Sequence, residues 1–94
     1  MHSPSKSVLV VDDNATVRQA LRRFFETRTS MKVWEARNGS EAIEQTKAQK
    51  PDFVIMDLVM PNMNGVEAAS VIRSLSEKVH IIVFTLHSDV IGKG

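Results

Sequence analysis

Asp12 and Asp13 stand directly after the apolar run Val8 to Val11, Asp57 directly after Phe53 to Met56, and Thr85 directly after Val79 to Phe84. An open parallel sheet gathers such groups along one edge, outside the carboxyl ends of its strands. If the first and third runs are neighbouring strands and the second lies outside the first, three carboxylates converge within a few ångströms. Two unit charges about 4 Å apart in an effective dielectric of about 20 repel by roughly 4 kcal/mol, so the cluster calls for a proton or a cation. Oxygen ligands with no His or Cys nearby suit Mg²⁺, which takes one or two carboxylates, keeps several waters and recruits phosphate oxygens. A phosphoryl group on one carboxylate would then find its charge already countered, and the pattern is that of a phosphoryl-acceptor site. An acid pair after a strand is equally well explained by the dipole of a following helix, and Asp57 alone by a turn before Pro61. Neither explanation accounts for two strands ending in carboxylates while a third ends in a hydroxyl.

The elements that must position these groups are legible from periodicity. Runs at Val8 to Val11, Phe53 to Met56 and Val79 to Phe84 are continuously apolar and rich in β-branched residues, as for strands covered on both faces. Met31 to Ala36 is more polar and reads as an edge strand. Val17, Leu21, Phe24 and Phe25 form one helical stripe, with Asn14 as its N-cap. Asn38 with Glu41 three residues on opens a short helix through Ala42 and Ile43 that stops at Lys50-Pro51. Pro61-Asn62 and Asn64-Gly65 mark a loop, after which Val66, Ala69, Ile72 and Leu75 resume helical spacing. The order βαβαβαβ predicts an α/β fold with a parallel sheet.

Composition narrows the classes. Ninety-four residues make at most one domain, and a 43% hydrophobic share supplies a core. Twelve Lys and Arg against eleven Asp and Glu leave a formal charge of +1, which removes a whole-chain electrostatic argument for nucleic acid. The absence of cysteine excludes disulfides, a thiolate zinc site and a cysteine nucleophile. MHSPSKS runs directly into VLVV with no long apolar stretch, so neither a signal peptide nor a membrane span is expected, and a cytoplasmic location is the default.

Together VLVVDDN, DFVIMDLVMPNMNGVE and HIIVFT resemble the receiver (phosphoacceptor) domain of two-component response regulators. The D-x-x-M-P-x-M-x-G spacing and the double aspartate carry the likeness, WEARNGSEAIE adds to it, and it covers nearly all of residues 6 to 86. The resemblance implies a flavodoxin-like, doubly wound parallel sheet in the order 2-1-3-4, one domain over residues 6 to 94, and a flexible N-terminus at 1 to 5. It implies that Asp57 accepts a phosphoryl group from a sensor histidine kinase. Asp13, with Asp12 partly through water, would hold Mg²⁺ beside the Asp57 carboxylate and the backbone carbonyl of Val59. Thr85 would be the switch hydroxyl that hydrogen-bonds the phosphoryl oxygen. Output such as helix-turn-helix DNA binding belongs to other parts of such proteins; no direct nucleic-acid or membrane binding is expected of these residues.

The sequence also departs from the family. A fourth helix, a fifth strand ending in a Lys-Pro pair and a fifth helix have no counterpart, and Lys93 lies only eight residues past Thr85. The expectation is therefore a receiver incomplete at its C-terminus, from a truncated gene or an engineered fragment, with the ladder edge of HIIVF unpaired beside uncovered apolar surface. That edge predicts a homodimer or domain-swapped assembly through residues 79 to 86, or poor folding alone. One rival is an aspartyl-phosphate phosphatase or phosphotransferase, which would carry D-x-D on its first strand instead of adjacent aspartates. The other is a degenerate receiver that serves only as an interaction module. Arg18, Arg22, Arg23 and Arg28 read as a solvated helix face, or alternatively as a kinase-docking face by resemblance. His2, His80 and His87 lack metal-ligand spacing. His87 and Leu86 would control water access to the site. Met56, Met60, Met63 and Trp34 read as packing, and Gly92-Lys93-Gly94 is not a phosphate-binding loop.

Overall fold

A five-residue segment reading SVLVV has β-branched side chains at three positions and nothing to solvate, and it becomes the central strand β1 (Ser7–Val11), with Val8 to Val11 fully buried. The computed structural model describes residues 6–60 and 64–85. The expectations for residues 1–5, Pro61-Asn62, Met63, Leu86, His87 and Lys93 fall outside that range. The remaining elements follow as α1 (Ala15–Arg28), β2 (Lys32–Ala36), α2 (Gly39–Gln49), β3 (Phe53–Asp57), α3 (Gly65–Leu75) and β4 (His80–Phe84). The described strands are all parallel and the sheet order is β2-β1-β3-β4, as the resemblance implies for a doubly wound fold. Register places Val10 beside Glu35 and Ile55, and Asp57 beside Phe84.

Asparagine starts every helix. The Asn14 side chain accepts from the Thr16 and Val17 amides, Asn38 from Glu41, and Asn64 from Glu67, whose own carboxylate returns to the Asn64 amide in a capping box. Lys50 ends α2 in the left-handed conformation, φ 49°, just before Pro51.

Because successive strand residues alternate between faces, the core divides in two. Leu9, Val11, Val54 and Met56 face α2 and α3, where Ala42, Ala68 and Ile72 meet them, and Met60 is buried there too. Val8, Val10 and Val33 face α1, where Leu21 and Phe25 cover them. Two expectations need correction. On α3 the buried positions are Gly65, Ala68 and Ile72, while Val66 is 62% exposed and Leu75 is exposed, because the helix turns its smallest residues inward to approach the end of β3. On β4 the apolar run is not covered on both faces: Ile82 is 52% exposed and Val83 is also exposed. α1 packs over β1 and β2, leaving β4 at the sheet's edge with β3 as its only strand partner among the described residues.

Candidate phosphoacceptor and metal site

Where β1 stops, the chain must leave the sheet and enter α1 within three residues, and polar contacts hold every step. The Asp12 amide extends the ladder by donating to the Ala36 carbonyl at 3.1 Å. Its carboxylate then accepts from the Asn14 amide at 2.8 Å, forming the turn that delivers Asn14 as helix cap. Its carbonyl accepts from Arg18 Nη1 at 2.7 Å. Asp12 is thereby buried, and Asp13 beside it faces solvent.

Asp57 is the last residue of β3 and is also buried. One of its carboxylate oxygens accepts from the Val59 amide at 3.2 Å. The next residue is gripped from both sides, since the Leu58 amide donates to the Phe84 carbonyl and the Leu58 carbonyl accepts from the Gly65 amide at 2.6 Å. A Cβ on Gly65 would lie 2.6 Å from the Asp57 carbonyl oxygen and 2.8 Å from Leu58 Cα. Glycine at this position is therefore a steric requirement for placing Asp57, a role that reading Asn64-Gly65 only as a loop signal missed.

These two strand ends bring one oxygen each of Asp12, Asp13 and Asp57 within 4.8 Å of one another. Burial raises the Asp12 carboxyl above its ordinary value, the Asp57 and Asp13 charges push the same way, and the Asn14 amide partly offsets them. Ion pairs among the described residues join Arg18, Arg22 and Arg37 to Glu35, Glu26 and Glu41, and none reaches the cluster. Oxygen-only donors, two of them on buried residues, with excess negative charge that no ion pair among the described residues relieves, fit a hard divalent cation. Thr85 is exposed and follows Phe84, the residue that pairs with Asp57, so it lies just past the end of the strand next to the one that carries the acid. Val59 is 49% exposed and adjoins Asp57 through its amide.

The arginines divide differently from the solvated face expected of them. Arg23 and Arg28 are exposed, with Arg28 over the Phe24 ring at 4.8 Å. Arg18 and Arg22 instead fold over β2, where Glu35 accepts from both, and Arg22 also donates to the Val33 carbonyl. Glu35 gave the available signal: it alternates with Val33 onto the face that α1 covers, and an acid there requires a cationic partner. His80 stacks on Phe53 with ring centroids 5.2 Å apart. Trp34 packs against the core under the Lys32 ammonium.

The family model described as the response regulator receiver domain matches residues 8–93. A chemotaxis protein CheY from Halobacterium salinarum is 43% identical over 81 residues, which is 86% of this chain and 67% of that protein. A protein-glutamate methylesterase/protein-glutamine glutaminase from Idiomarina loihiensis is 44% identical over 79 residues, 83% of this chain but only 20% of the enzyme. Among solved structures, the response regulator domain of Thermotoga maritima CheB superposes with a TM-score of 0.79 at 38% identity, covering 85% of this chain and 60% of that one. The chain thus spans less than two thirds of that solved domain and a fifth of the methylesterase. Among the described residues no helix is long and apolar enough to cross a membrane.

Proposed function

The chain belongs to the response regulator receiver domain family, and we propose that it works as the phosphoacceptor of a two-component system, with Asp57 taking a phosphoryl group from a sensor histidine kinase in the cytoplasm. The observation that carries the reading is the convergence of Asp12, Asp13 and Asp57 within 4.8 Å. Mg²⁺ would be held by the Asp13 and Asp57 carboxylates, by Asp12 partly through water, and by the Val59 carbonyl. When bound, it would supply positive charge for the transferring phosphoryl oxygens.

In the transfer, an Asp57 carboxylate oxygen attacks phosphorus, the phosphorus–nitrogen bond to the kinase's histidine breaks, and its electron pair returns to the imidazole. The product is an acyl phosphate on Asp57. Asp57 is suited to this because it is a buried residue beside the other acids, and the residue that follows it, Leu58, is held by the Phe84 carbonyl and the Gly65 amide. The Thr85 hydroxyl then donates to a phosphoryl oxygen, a charge-assisted bond of about 1.5–3 kcal/mol that draws Thr85 inward. The domain signals and is not itself an enzyme beyond its own phosphorylation. The degenerate, non-phosphorylated alternative is disfavoured by a cluster of three acids that makes no ion pair among the described residues. Alongside phosphorylation, the open edge of β4 supports association of residues 79–86 with a second copy.

Intact-mass spectrometry after incubation with a small acyl phosphate tests the reading. One phosphoryl increment is expected with Mg²⁺, and none with a chelator or in Asp57→Asn. An increment that survives Asp57→Asn would reject Asp57 as the acceptor.

A further inference from the structure

Asp12 has to leave the sheet at a fixed angle if its carboxylate is to meet Asp57 on β3 and not follow β2. Its amide still donates to Ala36 on β2, so the ladder alone would carry the chain onward along that strand. The carbonyl is where the path changes: it accepts from Arg18 Nη1 at 2.7 Å, in place of a further β2 amide. The same guanidinium donates through Nε to Glu35 at 3.0 Å, and the Arg18 side chain is only 13% exposed. The Arg18 amide meanwhile closes the first turn of α1 on the Asn14 carbonyl at 3.0 Å. One residue therefore ties together the end of β1, the start of α1 and the covered face of β2.

We propose that Arg18 is a positioning residue for the metal site: its rigid two-ended donor fixes the Asp12 carbonyl and so aims the Asp12 and Asp13 carboxylates at Asp57. The inference rests on the metal-binding reading above. A planar guanidinium suits the task because Nη1 and Nε hold fixed directions to a carbonyl and a carboxylate on different elements, which a single ammonium cannot reproduce. The arrangement also spends the arginine's charge on Glu35 and a peptide carbonyl and keeps it off the acids, which stay free to take a cation. Arg22 provides the internal control. It shares Glu35 and donates to Val33 and Glu26, but its hydrogen bonds do not include Asp12.

The test is calorimetric titration of the full chain with Mg²⁺, without any phosphodonor, for wild type, Arg18→Met and Arg22→Met, together with hydrogen exchange at the Asn14 amide in metal-free protein. Arg18→Met is expected to weaken Mg²⁺ binding by about tenfold or more, the range seen when a residue orienting a metal ligand is removed, and to speed exchange at Asn14. Arg22→Met is expected to lose stability while keeping wild-type Mg²⁺ affinity and Asn14 protection. Unchanged affinity in folded Arg18→Met, or an equal loss in Arg22→Met, overturns the proposal while leaving the metal site standing. Wild type that binds no Mg²⁺ overturns both. If Arg18→Met does not fold, Arg18→Lys, which keeps the charge without the fork, decides the matter: affinity lowered by more than about twofold supports positioning, and full affinity rejects it.

Discussion

β1 and β4 are both five-residue strands of one parallel sheet, each with four apolar residues after a polar first one, yet the first is sealed and the second is open. Every apolar residue of β1 is buried between α1 on one side and α2 and α3 on the other. β4 has the same kind of sequence, but none of its residues is fully buried. The acids grow from the sealed half, where Asp12 is tied at its amide, carbonyl and carboxylate. Thr85 grows from the open half. On the proposed reading both kinds of strand end have a use, because ligands that hold a cation should stay fixed, whereas a hydroxyl that reports a new phosphoryl group would have to move.

The largest test of this contrast is truncation in each half. Leu9→Ala opens a cavity in a fully buried position and should cost about 2–5 kcal/mol in urea unfolding, enough to unfold much of a marginal domain. Ile82→Ala, at a position 52% exposed, should cost less than about 1 kcal/mol. Equal losses would mean that β4 is as well covered as β1 under the conditions of measurement.

Gly65→Ala attacks the sealed half at its site. The added methyl meets the Asp57 carbonyl oxygen at 2.6 Å, a backbone atom that cannot swing aside, so a loss of about 1–3 kcal/mol is expected. Because the displaced backbone is that of Asp57 and Leu58, Mg²⁺ affinity should fall with stability. A Gly65→Ala protein with intact metal affinity would show that Asp57 tolerates the shift.

Asp12→Asn should have the opposite sign. Burial and the neighbouring acids raise the Asp12 carboxyl, so the folded state holds its proton more tightly than the unfolded chain, whose value is near 3.8. At neutral pH the bare carboxylate therefore destabilises the fold, and this penalty fades as pH falls through the raised value. The amide oxygen of an asparagine can still accept from the Asn14 amide, so the variant should be more stable than wild type by about 1 kcal/mol in metal-free buffer, with the gain shrinking toward acid pH. It should also bind Mg²⁺ less tightly. Glu35 runs the other way. Arg22 first, and Arg18 with it, hold its carboxyl below the usual 4.5, so its contribution is present above that value and is lost as pH falls through the lowered one. Glu35→Gln should flatten the acid limb of a stability–pH curve, whereas Asp12→Asn should steepen it.

The elements and the acids at their ends were legible in the sequence because each depends on local pattern: β-branched runs, asparagine caps, and acids placed directly after runs; the strand order came from the resemblance to receiver domains. What escaped depends on which neighbour happens to lie nearby. Arg18 and Arg22 read as solvent-facing because arginine on a helix usually is, and only the position of Glu35 on the covered face of β2 argues otherwise. The inward face of α3 was misassigned by one residue because hydrophobicity favours Val66, whereas the approach to Asp57 favours Gly65 and Ala68. For β4, composition gives the strand correctly but says nothing of what covers it.

Ile82→Lys sharpens the open side of the comparison with the smallest change in stability. Ile82 lies on the same sheet face as Phe53 and Ile55, on the edge strand and beyond the reach of α1. A charge there disfavours flat strand-to-strand pairing with another chain, while an already exposed position loses little packing, so unfolding free energy should stay within about 0.5 kcal/mol of wild type. If β4 associates with a second copy, light scattering of wild type should give a mass that rises with concentration toward a dimer, and Ile82→Lys should remain at monomer mass. Wild type that stays a monodisperse monomer at high concentration would reject homotypic pairing through this strand. The carboxylate site would be untouched by that result, because its three acids stand at the ends of β1 and β3 and none of them lies on β4.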